Sequence, residues 1–217
     1  MNDSQSVPRR GSEERRQQLL DVSRDLFVRD GYSGTPISAI VAAAGVAQGT
    51  FYVYFKSKQA VLAELRRQAF KRYAQALHEA AALPLPADAR LVQIVLAMVR
   101  VVRDQLPLER VFREADSADA LARAAIEGRA RLAREAAQLL RAGQDQGALI
   151  SEAPEVTAHL IVALFDTVLF EVMAYDAPAP TAAVVDQALR FTLRGLGVPD
   201  ARIRALVDAI DRSEVAP

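Results

Sequence analysis

Apolar residues return along this chain every three or four positions, the period of a helix with one face against a core. Leu19, Leu20, Val22, Ser23, Leu26 and Phe27 form the first such stripe. Ser12 is placed to cap that helix, with Glu13 and Glu14 in its first turn where the dipole favours negative charge, and Gly31 to end it. Residues 1–11, polar and carrying Pro8 and Gly11, read as a flexible N-terminal arm. Thr35 is expected to cap a second, short helix with Pro36 at its first position, and Gly45 to end it. A third runs from about Ala47 to Tyr54, and Ser57 caps a fourth that carries Val61, Leu62, Leu65, Ala69, Tyr73 and Leu77.

Pro84 and Pro86 close the fourth helix. Leu91, Val95, Val99, Val102 and Leu106 continue the helical period until Pro107, which is expected to stop it before a short segment over 108–116. An Ala- and Arg-rich helix follows over about 118–142, broken by Gly143 and Gly147. Two apolar helices near 155–175 and 181–195 are split by Pro178 and Pro180, and a last one near 200–212 puts Ile203, Leu206, Val207 and Ile210 on one face. No stretch offers the two-residue alternation of a half-buried strand. The pattern predicts an all-α protein of nine or ten helices.

Composition narrows what such a protein does. The 217 residues are 51% hydrophobic and 25% charged, which excludes wholesale disorder. No apolar run approaches the ~20 residues of a membrane span, Leu160 to Phe165 for example ending at Asp166. The polar start has no secretory signal, so a cytoplasmic location with no membrane partner is expected. The absence of cysteine removes disulfides, zinc–thiolate sites and thiol nucleophiles. His78 and His159 have no companion at metal-ligand spacing, no nucleophile–base set or phosphate-cradling loop is present, and so no metal, cofactor or catalytic residue is expected. The 27 basic and 27 acidic residues cancel, yet residues 1–72 hold 12 Lys and Arg against 7 Asp and Glu, leaving the remainder net acidic. A basic N-terminal third is suited to an anionic partner.

The segment from Thr35 to Lys58 carries the most information. Two short helices joined through a glycine, behind a longer first helix, have helix-turn-helix dimensions. Ile37, Ile40 and Val41 point one way in the first of the pair, and Phe51 and Phe55, four apart, point one way in the second. Gln48, Gly49, Thr50, Tyr52 and Tyr54 are left facing outward. Gln reads adenine edges, Thr bonds a base or touches a thymine methyl, and Tyr hydroxyls reach phosphate. Gly49 permits close backbone approach to a duplex, while Lys56 and Lys58 flank a helix N-terminus that favours phosphate.

The run Gly45 to Lys58, with its glycine turn, aromatic cluster and trailing lysines, resembles the TetR family of bacterial transcriptional regulators over residues 12 to about 65. The resemblance implies a helix-turn-helix DNA-binding domain over 12–57 and a larger helical ligand-binding and dimerisation domain over 58–213. It implies a homodimer on double-stranded, palindromic operator DNA, acting as a repressor and released by a small hydrophobic or amphipathic effector. Carried over by position, Thr35, Ser38, Gln48, Gly49, Thr50, Tyr52, Tyr54 and Lys58 would be the DNA-binding residues. Thr35 would cap and approach phosphate, and Lys58 would clamp phosphate from the fourth helix. Pro36, Ser38, Ala47 and Gln48 depart from the Thr, basic, Ser or Thr, and basic residues common at those positions. The recognition unit is thus less basic than usual, and Arg9 and Arg10 could offset this from a minor groove.

The body carries an excess of apolar helix. The 155–175 segment is apolar nearly all round and so needs cover on more than one side. The resemblance implies that this helix and the next pair with their two-fold mates, through or supported by Leu160, Leu164, Val168, Val185, Leu189, Leu193 and Leu196. Met98, Val102, Phe112, Phe165, Asp166, Phe170 and Met173 are the candidate ligand-binding residues, with Asp166 and Glu171 able to meet Arg100, Arg103 or Arg113. In the family picture the fourth helix, a rod running from the DNA-reading part into the body, transmits ligand occupancy. Two other readings stay open on the residues alone. One is a ligand- or protein-binding module with a vestigial DNA-binding head; the other is a small enzyme using Asp166 or Glu171.

Overall fold

The computed structural model describes the backbone of residues 10–115, 119–174 and 181–211, and their side chains except at 10, 119, 168–174 and 181. Those residues form nine helices and no strand: α1 Arg10–Asp30, α2 Ile37–Ala43, α3 Gln48–Tyr54, α4 Lys58–Ala81, α5 Ala87–Glu114, α6 Asp119–Asp145, α7 Pro154–Ala174, α8 Thr181–Gly195 and α9 Asp200–Asp208. Two compact units result, one of residues to Arg66 together with Val111–Ala124, the other of Arg67–Arg110 with the chain from Ala125 onward.

The first unit is built on the stripe of α1. Leu19, Leu20, Leu26 and Phe27 are buried together with Ile40 and Val41 of α2, Phe51 of α3, Phe55, and Val61, Leu62 and Leu65 of α4. Each such side chain removed from water contributes roughly 1.5–3 kcal/mol. Ser23 sits within the same stripe, fully buried, and satisfies its hydroxyl by donating to the Leu19 carbonyl at 2.6 Å. Three boundaries differ from the sequence reading. Arg10 already lies in α1, so Ser12 is inside its first turn and not its cap. Pro36, not Thr35, occupies the cap position of α2, with no side-chain hydrogen bond to the helix. Ser57 does cap α4, its Oγ accepting from Ala60 N–H at 3.2 Å.

In the second unit α7 packs on α8, and α8 on α9. Val185, Leu189, Leu193 and Leu196 are buried inside this unit with Ile203 and Val207 of α9, which makes them core residues of the single chain. Leu160 is 66% exposed, so this position on α7 has no cover among the described residues. Val168 falls outside the described side chains. Where α4 meets α6 the Phe70 ring lies on Gly128, at which a Cβ would stand 2.2 Å from the ring.

Pro107 does not stop its helix. It costs α5 the bond its N–H would give to the Arg103 carbonyl, but Val99 and Val102 before it and Leu108, Val111 and Phe112 after it are all buried, and that continuous apolar face outweighs one lost bond. Gly143 likewise stays inside α6, its missing side chain making room for Leu149, whose Cδ1 lies 2.6 Å from where a Cβ would be.

Arg202 of α9 forks onto Asp88 in the first turn of α5, with Nε and Nη2 donating at 2.7 and 3.1 Å. That guanidinium holds the Asp88 carboxyl below the ordinary range, against the opposing effect of burial. A carboxylate depressed in the folded state stabilises fully above its unfolded value near ~3.9, and that stability is lost as pH falls through the lower folded value. Asp88→Asn should therefore lower stability to urea by about 1 kcal/mol at pH 7, with the gap to wild type closing as pH falls below the ordinary carboxylate range. A gap independent of pH would show that the ion pair contributes nothing.

Candidate nucleic-acid interface and ligand cavity

The interface begins with the turn between α2 and α3, whose axes change direction by 102°. Gly45 makes this possible at φ 64°, a left-handed conformation costly to residues with a Cβ. Val46 N–H donates to the Val41 carbonyl at 3.0 Å and Gly45 N–H to that of Ala42 at 3.2 Å, closing the end of α2. Gln18 of α1 fastens the turn by donating to the Ala44 carbonyl at 3.1 Å. Phe51 and Phe55 bury one side of α3, their ring centroids 6.0 Å apart, with the Arg16 guanidinium 5.3 Å over the Phe55 ring.

With that face taken, the opposite one is fixed. Gln48 and Gly49 are exposed, Tyr52 is 50% exposed and Val53 77%, and Lys56 follows in the open. Gly49, Tyr52 and Val53 fall at i, i+3 and i+4, a single helical face, and Lys56 lies just beyond the end of α3. Thr50 and Tyr54 flank it, partly covered, and Ser38 is exposed on α2. Nothing lies within 4 Å of where a Cβ on Gly49 would be, so packing does not demand a glycine there. Val53, an apolar residue, was absent from the sequence reading. Only its place in the i+4 series of Gly49 could have marked it.

Two expected DNA contacts are turned inward. Thr35 is 1% exposed, and its hydroxyl donates to the Gly31 carbonyl at 2.8 Å, which leaves it no path to phosphate. The Lys58 ammonium donates to the carbonyls of Tyr32 and Thr35 at 2.5 and 2.9 Å and lies 4.3 Å from the Tyr32 ring centroid. Burial pushes its pKa down and the Glu114 carboxylate pulls it back up. Glu114 also accepts from Ser33 N–H at 3.4 Å. Lys58 is thus an internal brace that ties α4 to the 31–35 loop.

The second unit holds a partly open cavity of about 110 Å³ between α4, α5, α6 and α7. Met98, Val102, Phe165 and Asp166, four of the candidate ligand-binding residues, line it together with Phe70, Tyr73, Arg90, Ile94, Arg129, Leu132 and Ile161 among others. Phe112 does not: it belongs to the first unit, under the Arg66 guanidinium at 4.8 Å. Phe170, Met173 and Glu171 lie outside the described side chains. Asp166 pairs with Arg129 at 2.8 Å and not with Arg100, Arg103 or Arg113. The Tyr73 hydroxyl donates to buried Glu109 at 3.1 Å. Among the described residues no three of His, Asp and Glu converge as metal ligands, and no single helix is long and apolar enough to cross a membrane.

Two short helices at this angle, fastened to a longer first helix and presenting one open face, define a helix-turn-helix protein. Residues 19–65 match the family model described as bacterial regulatory proteins, tetR family. The fatty acid metabolism regulator protein of Bacillus subtilis (strain 168) is 32% identical over 62 residues, 29% of this chain and 32% of that protein. The HTH-type regulator YhgD of the same organism is 22% identical over 187 residues, 84% of this chain and 97% of its own. Among solved structures, the fatty acid degradation regulator FadR of Bacillus halodurans superposes with a TM-score of 0.69 at 22% identity, covering 84% of this chain and 96% of that one. Residues 19–65 are thus a DNA-binding segment of the tetR-family type.

The inward role of Lys58 has a measurable consequence. Lys58→Met should lower stability by about 1–2 kcal/mol, because two carbonyls lose a charged donor. Tyr52→Ala and Val53→Ala, at open positions, should stay within about 0.5 kcal/mol of wild type. Thermal unfolding of the purified variants checks both, and an unaffected Lys58→Met would return Lys58 to the list of free phosphate ligands.

Proposed function

We propose that this chain is a dimeric transcriptional regulator, a repressor that holds a palindromic operator in double-stranded DNA and lets go when a small hydrophobic or amphipathic effector fills its cavity. The observation that carries the reading is the open face of α3. It offers a glutamine, a glycine, a tyrosine and a valine on one side of a helix whose other side is fully occupied. Gln48 is suited to an adenine edge, Val53 to a thymine methyl, and the Tyr52 hydroxyl to a phosphate or base. Thr50, Tyr54 and Ser38 border this face, and exposed Lys56 supplies the cation that Lys58 withholds. Residues 12–57 are the DNA-reading part in this reading and 58–213 the ligand-binding and dimerising part, with α4 belonging to both.

Dimerisation is supported by apolar side chains that the described residues leave exposed. Val156 and Leu160 on α7 and Phe191 on α8 are exposed, Phe191 by 72%. A two-fold pairing of α7 and α8 would cover them on both protomers at once. Two recognition helices set about one DNA turn apart, ~34 Å, would then read successive major grooves. Effector occupancy shifts the population of α4 orientations and so the spacing of the two heads.

The affinity for the chain's own promoter region, measured by gel shift at fixed salt, tests the DNA-reading face. Tyr52→Ala should weaken binding at least about tenfold. Gly49→Ala is the sharper probe: the fold has room for the methyl and the helix gains from it, so stability should hold or rise while DNA affinity falls. Unchanged affinity in both variants would overturn the assignment of that face.

A separate variant tests the assembly. Phe191→Glu should convert a dimer to a monomer in sedimentation, with loss of operator binding. A dimer that persists would place the interface elsewhere.

A further inference from the structure

The cavity in the second unit is lined almost wholly by apolar side chains, with three charged ones among them: Arg90, Arg129 and Asp166. Arg129 and Asp166 answer each other, Nε donating to Oδ2 at 2.8 Å. Arg90 has no such answer. Its Nη1 donates to the carbonyl of Ala81, the last residue of α4, at 3.2 Å. Its Nε is buried and has no hydrogen-bond partner. Asp88, the acid closest to it in sequence, is committed to Arg202 at 2.7 and 3.1 Å and to its neighbour's Ala89 N–H at 2.7 Å. The described lining residues therefore carry one positive charge in excess and one charged donor with nothing to receive it. A buried donor of this kind is costly when left unmade, and a bound acceptor would relieve it.

We propose that the cavity takes a small amphipathic monoanion, its carboxylate accepting from Arg90 Nε and its apolar body lying against Ile94, Met98, Leu132, Ile161 and Phe165. The proposal rests on the reading of this cavity as the effector site and specifies the effector's chemistry. Size limits the body. An apolar cavity of ~150 Å³ holds a benzene ring, so about 110 Å³ suits a short acyl chain or a single small ring. A neutral carbonyl would satisfy the orphan N–H but leave the excess charge. A carboxylate does both, and charge-assisted bonds are roughly twice as strong as neutral ones.

Calorimetric titration of the full chain with hexanoate, hexanamide and hexan-1-ol at pH 7 and fixed salt tests this. Hexanoate should bind at least about tenfold more tightly than hexanamide. In Arg90→Met that preference should shrink to within about twofold while hexan-1-ol binding is kept, and Arg90→Lys should retain part of it. Equal binding of hexanoate and hexanamide to the wild type would overturn the carboxylate proposal while leaving the cavity an effector site. So would a preference that survives in Arg90→Met, with circular dichroism confirming the fold. If none of the three binds the wild type, or if binding survives Ala136→Phe, which fills the cavity, the effector-site reading falls and the proposal with it.

Discussion

The burial of Phe51 and Phe55 is the constraint on which the rest of the first unit depends. A seven-residue helix cannot hold itself together in water, because too few internal bonds follow the cost of nucleation. Side-chain burial therefore supplies the stability of α3, and Phe51 is its fully buried residue. Anchoring that face also decides what remains outside. Gly49, Tyr52 and Val53 are exposed because Phe51 and Phe55 are not. The left-handed turn at Gly45 then sets the direction in which the open face points.

Charge is divided in the same way. Lys58, Thr35 and Glu114 hold the 31–35 loop, and their polar atoms are occupied by carbonyls and a backbone N–H. Lys56 and Gln48 are left in the open. The zero net charge of the chain thus says little about its partner, since what matters is which charges the fold has already used.

How much of this could be read from the chain follows from the range of the forces involved. The helices, the Gly45 corner and the Phe51–Phe55 pair were legible because each is a local matter of spacing within a few residues. The roles of Thr35 and Lys58 were not. Lys58 bonds to carbonyls 23 and 26 residues earlier, and Glu114 reaches Ser33 across 81 positions. Pro107 misled because a local rule about proline met a long apolar face that overrode it. In the body, Met98 and Val102 follow each other at i+4 into the cavity, but Phe112 on the same helix belongs to the other unit. Apolar type alone does not distinguish a cavity wall from a core. Asp166 stood out as a charge in an apolar helix, yet its partner Arg129 lies 37 residues away on α6 and could be found only from the fold.

Selection from a random pool of duplexes, carried out with the full chain at physiological salt, puts the open face of α3 to the most direct test. Sequence-specific reading by paired recognition helices predicts one enriched motif with two-fold symmetry, its half-sites about one helical turn apart. A pool that stays unenriched, or that binds only in proportion to length and salt, would contradict it.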